Sequence, residues 1–133
     1  MKKLVLSILL YIVTSEVLAV CLKEGDEVTL SGMMKSQLFY GPPNYGENKE
    51  SDQKLNYWIL YPDKPIKCVE DADDSDKDWN ESIQLIIMRD DYKTKAHLLN
   101  HKVVLKGNIL IAFSGYHVTR ILLDNTLFIE NEK

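Results

Sequence analysis

Three stretches of the chain carry residue types suited to contact chemistry. The first is Phe39-Tyr40-Gly41-Pro42-Pro43-Asn44-Tyr45-Gly46, where tyrosine rings give rigid contact area at low entropic cost and Pro and Gly fix the loop that presents them. The second is Ser114-Gly115-Tyr116-His117-Val118-Thr119-Arg120, whose Tyr116, His117 and Arg120 can hydrogen-bond a polar or anionic group. Trp58 extends the aromatic set, so Tyr40, Asn44, Tyr45, Trp58, Tyr116, His117 and Arg120 are the candidate ligand-binding residues. The bland alternatives are that Pro-Pro and the glycines only shape a turn while the rings complete the core, and that a lone histidine in a turn is structural.

The third stretch is acidic. Asp71, Asp73, Asp74, Asp76 and Asp78 are hard oxygen ligands of the kind Ca²⁺ takes. A calcium loop of the EF-hand type counted from Asp74 would need Gly where Trp79 stands and Glu where Leu85 stands. The expectation is a solvated loop at 70–78 with no metal and no cofactor. For catalysis, His97, His101 and His117 are the available imidazole bases, and Ser114 or Ser82 the available nucleophiles. No nucleophile elbow and no H-E-x-x-H pattern surrounds any of them, so no enzyme is expected.

Loops need strands to hold them. From Asp26 to Met34, Val28, Leu30, Gly32 and Met34 alternate with Thr29, Ser31 and Met33, the two-residue period of a half-buried strand. Gly32 inside that strand predicts a bulge or tight bend that lets one long strand curl through both halves of a small barrel. In Leu55 to Tyr61, Leu55, Tyr57, Ile59 and Tyr61 share one face, and Trp58 and Leu60 the other. Pro62 and Pro65 end or demote this strand, and Ile66 to Val69 is where it can resume at an edge. Ile83 to Met88 is almost wholly apolar, which suits a strand covered on both sides. Asp90 or Asp91 then predicts a helix N-cap, with Tyr92, Ala96 and Leu99 at helical spacing and Asn100 leaving the helix left-handed.

The clearest strand is His101 to Phe113, where Val103, Leu105, Gly107, Ile109, Ile111 and Phe113 face one way and Lys102, Lys106 and Asn108 the other. Ser114 to His117 is a turn. Val118 to Leu123 and Leu127 to Ile129 form a last strand, with Asp124-Asn125 as a candidate hairpin turn within it. Strand, strand, strand, helix, strand, strand is the order of the OB-fold. The expected class is therefore mainly β with one short helix, a five-stranded OB-like β-barrel, with a small β-sandwich as the alternative.

Composition agrees with one ordinary domain. The chain has 133 residues, 45% hydrophobic and 27% charged, which excludes disordered, collagenous and multi-pass membrane classes. A net charge of −4 argues against a polyanion-binding surface, so no nucleic acid is expected as a partner. Residues 1–19 read as an export signal: Lys2 and Lys3 precede an apolar run from Leu4 to Val13, and Val17-Leu18-Ala19 predicts cleavage after Ala19. Thr14, Ser15 and Glu16 interrupt the run, so no stable membrane insertion is expected once the signal is removed. Val20 ahead of Cys21 argues against lipidation. Residues 20–133 then form a single periplasmic or secreted domain.

An oxidising compartment lets thiols pair, and Cys21 and Cys68 have one intramolecular pairing open to them. A two-cysteine metal site or a reactive thiol is the alternative. With no C-x-x-C and no histidine nearby in sequence, a structural bridge is expected.

Several stretches also bear a likeness to a known family. Val28-Thr29-Leu30-Ser31-Gly32, Gly41-Pro42-Pro43-Asn44-Tyr45-Gly46-Glu47, Asp63-Lys64-Pro65, and Lys102 to Gly107 followed by Gly115 to Leu123 resemble the exported bacterial family called domain of unknown function 4431. The resemblance implies a small periplasmic OB-like domain with a cysteine pair like Cys21 and Cys68, and no established activity. That family often has more than one histidine ahead of the threonine in the Gly115 segment. This chain has Tyr116-His117-Val118-Thr119, so the resemblance implies no histidine-cluster chemistry.

The expected function is a non-catalytic exported binding module of the bacterial cell envelope that recognises a protein, peptide or glycan through loops 39–46 and 114–120. The alternative is an inhibitor or immunity protein against an envelope-targeting enzyme or toxin, in which the acidic loop 70–78 steers toward a basic partner.

Overall fold

The computed structural model describes residues 20–129, and its strands are β1 (Glu27–Tyr40), β2 (Lys54–Pro62), β3 (Ile83–Leu85), β4 (Lys102–Ile111) and β5 (Ile121–Phe128). A helical turn α1 (Asp91–Thr94) and a 3-10 turn, Ala96–Leu98, lie between β3 and β4. The strands close in the order β1-β2-β3-β5-β4. The result is an OB-like barrel, not a sandwich.

β1 is the strand that makes closure possible. Its first half pairs antiparallel with β4, from Glu27↔Asn108 to Met33↔Lys102, and its second half with β2, from Gly32↔Pro62 to Tyr40↔Lys54. The exchange of partners falls at Gly32, as the glycine inside an otherwise regular strand suggests. A Cβ there would land on the Tyr61 carbonyl, so only glycine lets the two backbones approach at the bend.

Met34, Leu60, Leu85, Leu105, Ile109 and Leu123 point into the barrel and are almost wholly buried. Each such side chain stabilises the fold by about 1.5–3 kcal/mol through removal from water. Trp58 belongs to the same core. Cys21 and Cys68 are joined in a disulfide, with Cα atoms 4.7 Å apart. Beside it the Leu22 N–H donates to the Cys68 carbonyl (3.1 Å) and the Glu70 N–H to the Leu22 carbonyl (2.8 Å); Ile66–Val69 does not resume the strand, and only Val69 makes an isolated parallel bridge, to Leu22. The bond is compatible with an oxidising, exported setting. No helix among the described residues is long and apolar enough to cross a membrane. The expected signal at 1–19 lies outside the described residues.

Several elements differ from expectation: β4 stops at Ile111, leaving Phe113 exposed, and β5 begins at Ile121 and not at Val118. The apolar run 83–88 is a strand only over Ile83–Leu85; Ile86 still donates to the Leu123 carbonyl (2.9 Å), but Met88 is exposed. The helix is one α-turn followed by a 3-10 turn because Lys95 leaves helical geometry (φ −109°, ψ 3°) and α1 has no buried residue to reward a longer run. Asp90 makes no side-chain cap, although Asn100 does turn left-handed (φ 64°). Asp124-Asn125 does not break β5 into a hairpin: the strand continues, with Asn125 at φ 50° and a register shift against β4 between Lys106 and Asn108, which is a bulge.

Gly32→Ala should lower stability by ~1–3 kcal/mol in urea unfolding, the range for forcing extra atoms into a filled site. An unchanged midpoint would mean that the β1–β2 approach is looser than described. Reduction of Cys21–Cys68, which closes a span of 47 residues, should cost about 4 kcal/mol on the loop-closure account, read as the difference between unfolding curves with and without reductant.

Candidate functional site

The loop after β1 is assembled around one carboxylate. Asp52 is 6% exposed. Its Oδ1 accepts the Asn44 N–H at 2.7 Å and its Oδ2 accepts the Gly46 N–H at 2.7 Å. Burial alone would raise its pKa, but the hydrogen bonds from Gly46 and Asn44 outweigh that and hold it below the ordinary carboxylate value. Around this centre Gly41 N–H donates to Gln53 O (2.8 Å), Gln53 N–H to Pro42 O (3.0 Å) and Tyr45 N–H to Gly41 O (3.0 Å). The Pro42–Pro43 peptide bond is cis. Tyr45 and Gly46 follow in left-handed backbone, φ 51° and 99°, so the Asn44 and Gly46 amides face inward to Asp52 and the Tyr45 ring goes outward, 58% exposed.

The second loop is held from the barrel wall. Ile59, Gln84 and Leu122 lie side by side on the outside of β2, β3 and β5, by register Ile59↔Gln84 and Gln84↔Leu122. All three are buried although they face away from the core. The 114–120 segment runs across this row and is tied to it through Gln84. The Gln84 Oε1 accepts the Val118 N–H (2.8 Å), its Nε2 donates to the Tyr116 carbonyl (3.4 Å), and its own N–H donates to Thr119 Oγ1 (2.9 Å). Thr119 in turn donates to the Ile121 carbonyl (2.6 Å). His117 closes the turn, its Nδ1 accepting the Phe113 N–H at 3.1 Å while the two rings meet edge-on at 4.5 Å.

The two loops touch. A Cβ placed on Gly115 would lie 2.5 Å from the Tyr45 hydroxyl and 3.1 Å from Cε1 of that ring. The glycine is therefore what admits the Tyr45 ring against the second loop. Tyr116 is 45% exposed beside this junction, and on the outer face of β1 and β2 the rings of Phe39 and Tyr57 lie 6.2 Å apart. Burial, then the neighbouring Tyr92 and Tyr116 hydroxyls, raise the Tyr57 pKa. The molecule thus carries a tyrosine-bearing rim made from two loops that share one contact.

Not every candidate residue faces outward from this rim. Tyr40 is half-buried with Lys49 Nζ 5.3 Å from its ring centre, and Asn44 spends its side-chain amide on Ser51 Oγ (3.1 Å). Trp58 is in the core, 5% exposed and edge-on to Tyr92 at 5.1 Å, so it lends the rim no area. Arg120 turns to the acidic loop, with Nη2 2.9 Å from Asp76 Oδ2 and Nη1 3.5 Å from Asp73 Oδ2. That pairing leaves a cleft of about 300 Å³ bordered by Asp76, Asp78, Trp79, His117 and Arg120. Asp73 and Asp76 therefore already share a cation supplied by the protein. Sequence reasoning missed Asp52 and Gln84, the two residues that build the loops; the only local signal for the first was an aspartate at the end of a turn-rich run.

The family model described as Domain of unknown function (DUF4431) matches residues 82–127, from just before β3 into β5, and so covers the Gln84 anchor and the whole second loop. No curated protein matches the chain, and no solved structure does.

Gln84→Ala removes the acceptor of the Val118 N–H and should cost ~1–3 kcal/mol, the penalty for orphaning part-buried polar groups, with faster amide exchange at Val118. Retention of wild-type exchange there would show that the loop holds itself. For Asp52 the sign follows from its depressed folded-state pKa. Its contribution is full above the ordinary carboxylate range and is lost as pH falls through the folded-state value. Asp52→Ala should thus melt several degrees lower than wild type at neutral pH, with the gap closing in acid; a gap independent of pH would assign the loss to packing instead of charge.

Proposed function

We propose that this chain, which over residues 82–127 matches the family model described as Domain of unknown function (DUF4431), is a non-catalytic exported module of the bacterial envelope that binds a protein, peptide or glycan. Its contact surface is the rim formed by loops 41–53 and 114–120, with Tyr45 and Tyr116 as the exposed anchors. The observation that carries this reading is the Tyr45–Gly115 contact between two loops that are each hydrogen-bonded from within. Rigid rings on a preformed surface lose little entropy on binding, which is where such surfaces gain affinity. A periplasmic setting is supported by the leader-like residues 1–19 and is compatible with the Cys21–Cys68 bond.

The inhibitor reading leans on the field of the acidic loop. Arg120 compensates Asp73 and Asp76, and Glu70 lies 3.9 Å from Lys23, so that field is weaker than the count of aspartates suggests. The aromatic rim is favoured for this reason.

Affinity capture from envelope extract, together with a glycan array, should return a ligand for the wild type. A Tyr45→Ala, Tyr116→Ala double variant with unchanged melting should lose it. Retention should change little with salt, since aromatic contacts are not screened. A ligand held equally by the double variant would refute the rim as the contact surface, and binding that collapses steeply with salt would support acidic steering and the inhibitor reading.

A further inference from the structure

Beyond Met34, one edge of β1 has nothing paired to it among the described residues. The ladder with β4 ends at Met33↔Lys102. The last hydrogen bonds on that side run from Met34 N–H to the His101 carbonyl (3.1 Å) and from Asn100 N–H to the Met34 carbonyl (2.7 Å). Main-chain groups of an extended strand alternate sides, so the N–H and C=O of Ser36, Leu38 and Tyr40 point the way Met34's do, away from β2. None of these groups has a partner among the described residues. Lys35, Ser36, Gln37 and Leu38 are all exposed, and Leu38 stands 43% open to solvent. Folded chains blunt such edges with proline, bulges, lysines or covering segments. Here Ser36–Tyr40 has no proline and pairs with β2 in unbroken register; the lysine before it on β1, Lys35, lies with its Nζ 5.7 Å from the Tyr61 ring centre, and Lys49 reaches only its last residue, Tyr40.

We propose that this edge pairs with the same edge of a second copy of the chain, antiparallel and centred on Leu38. What singles out a second copy is self-complementarity about that residue. In this register Leu38 lies against the partner subunit's Leu38, and Ser36 opposite the partner subunit's Tyr40. Each free N–H then meets a free carbonyl, and no like charges oppose each other within Ser36–Tyr40. The pairing joins the two β1–β2 hairpins into one four-stranded ribbon and covers the exposed leucine. Five residues a side make a small interface, so the dimer belongs to the weak class, with dissociation in the micromolar to millimolar range.

The test is sedimentation of the full protein up to about 1 mM, the weak limit of that range, combined with hydrogen exchange at the Ser36, Leu38 and Tyr40 amides. The wild type should dimerise, and protection at those three amides should rise in step with the dimer fraction. Leu38→Lys places like charges on the two-fold axis and Leu38→Pro removes the central donor; both should stay monomeric, and melting measured in dilute solution shows whether each has folded. A wild type that remains monomeric throughout overturns the proposal. So does a dimer that survives Leu38→Lys, or protection of the three amides that does not depend on concentration.

Discussion

A barrel closes only if some strand bridges the gap between its two halves, and in this chain that work falls to three residues. Ile83–Leu85 pairs antiparallel with β2 at two positions and parallel with β5 at two. Its inward side chains, Ile83 and Leu85, are core, and its outward one, Gln84, cannot face water because the 114–120 segment crosses it. A buried primary amide is tolerable only when its hydrogen bonds are made. Gln84 makes them with the backbone of that segment, so the residue that completes the barrel also fixes the second loop. Barrel closure and the second loop thus share one residue.

The first loop solves the opposite problem. It lies past the end of the barrel, where no sheet can satisfy its backbone, and it brings its own acceptor. Taking the Asp52 carboxylate from water is costly, and the two 2.7 Å bonds from Asn44 and Gly46 offset that cost. The same turn throws Tyr45 outward in left-handed backbone, and Gly115 leaves the space that receives it. Sequence-distant segments thereby become one surface.

How much of this can be read from sequence follows from the range of the forces involved. The alternation in Val103–Ile109 and the glycine at position 32 are local, and they gave β4 and the bend of β1 directly. Asn100 likewise showed its left-handed backbone. Trp58 was ambiguous because the strand it sits on is buried on both sides at Trp58, Ile59 and Leu60, so alternation did not tell wall from surface. The run Ile83 to Met88 was apolar throughout, and its end was set by which residues reach β5, not by composition. Arg120, Asp52 and Gln84 owe their roles to partners 44, 8 and 34 positions away. Nothing in the residues beside them announces those bonds. The two loops were expected to serve one recognition surface, yet the contact that joins them, Tyr45 against Gly115, was not.

The claim on which the rest turns is that the two loops form one preassembled surface in the absence of any ligand. Nuclear Overhauser contacts between the Tyr45 ring protons and the Gly115 α-protons, in the free protein, test it most directly. The account predicts strong cross-peaks with slow amide exchange at Asn44, Gly46 and Val118. Missing cross-peaks, with rapid exchange in both loops, would contradict it and would mean that any surface there is assembled by the ligand.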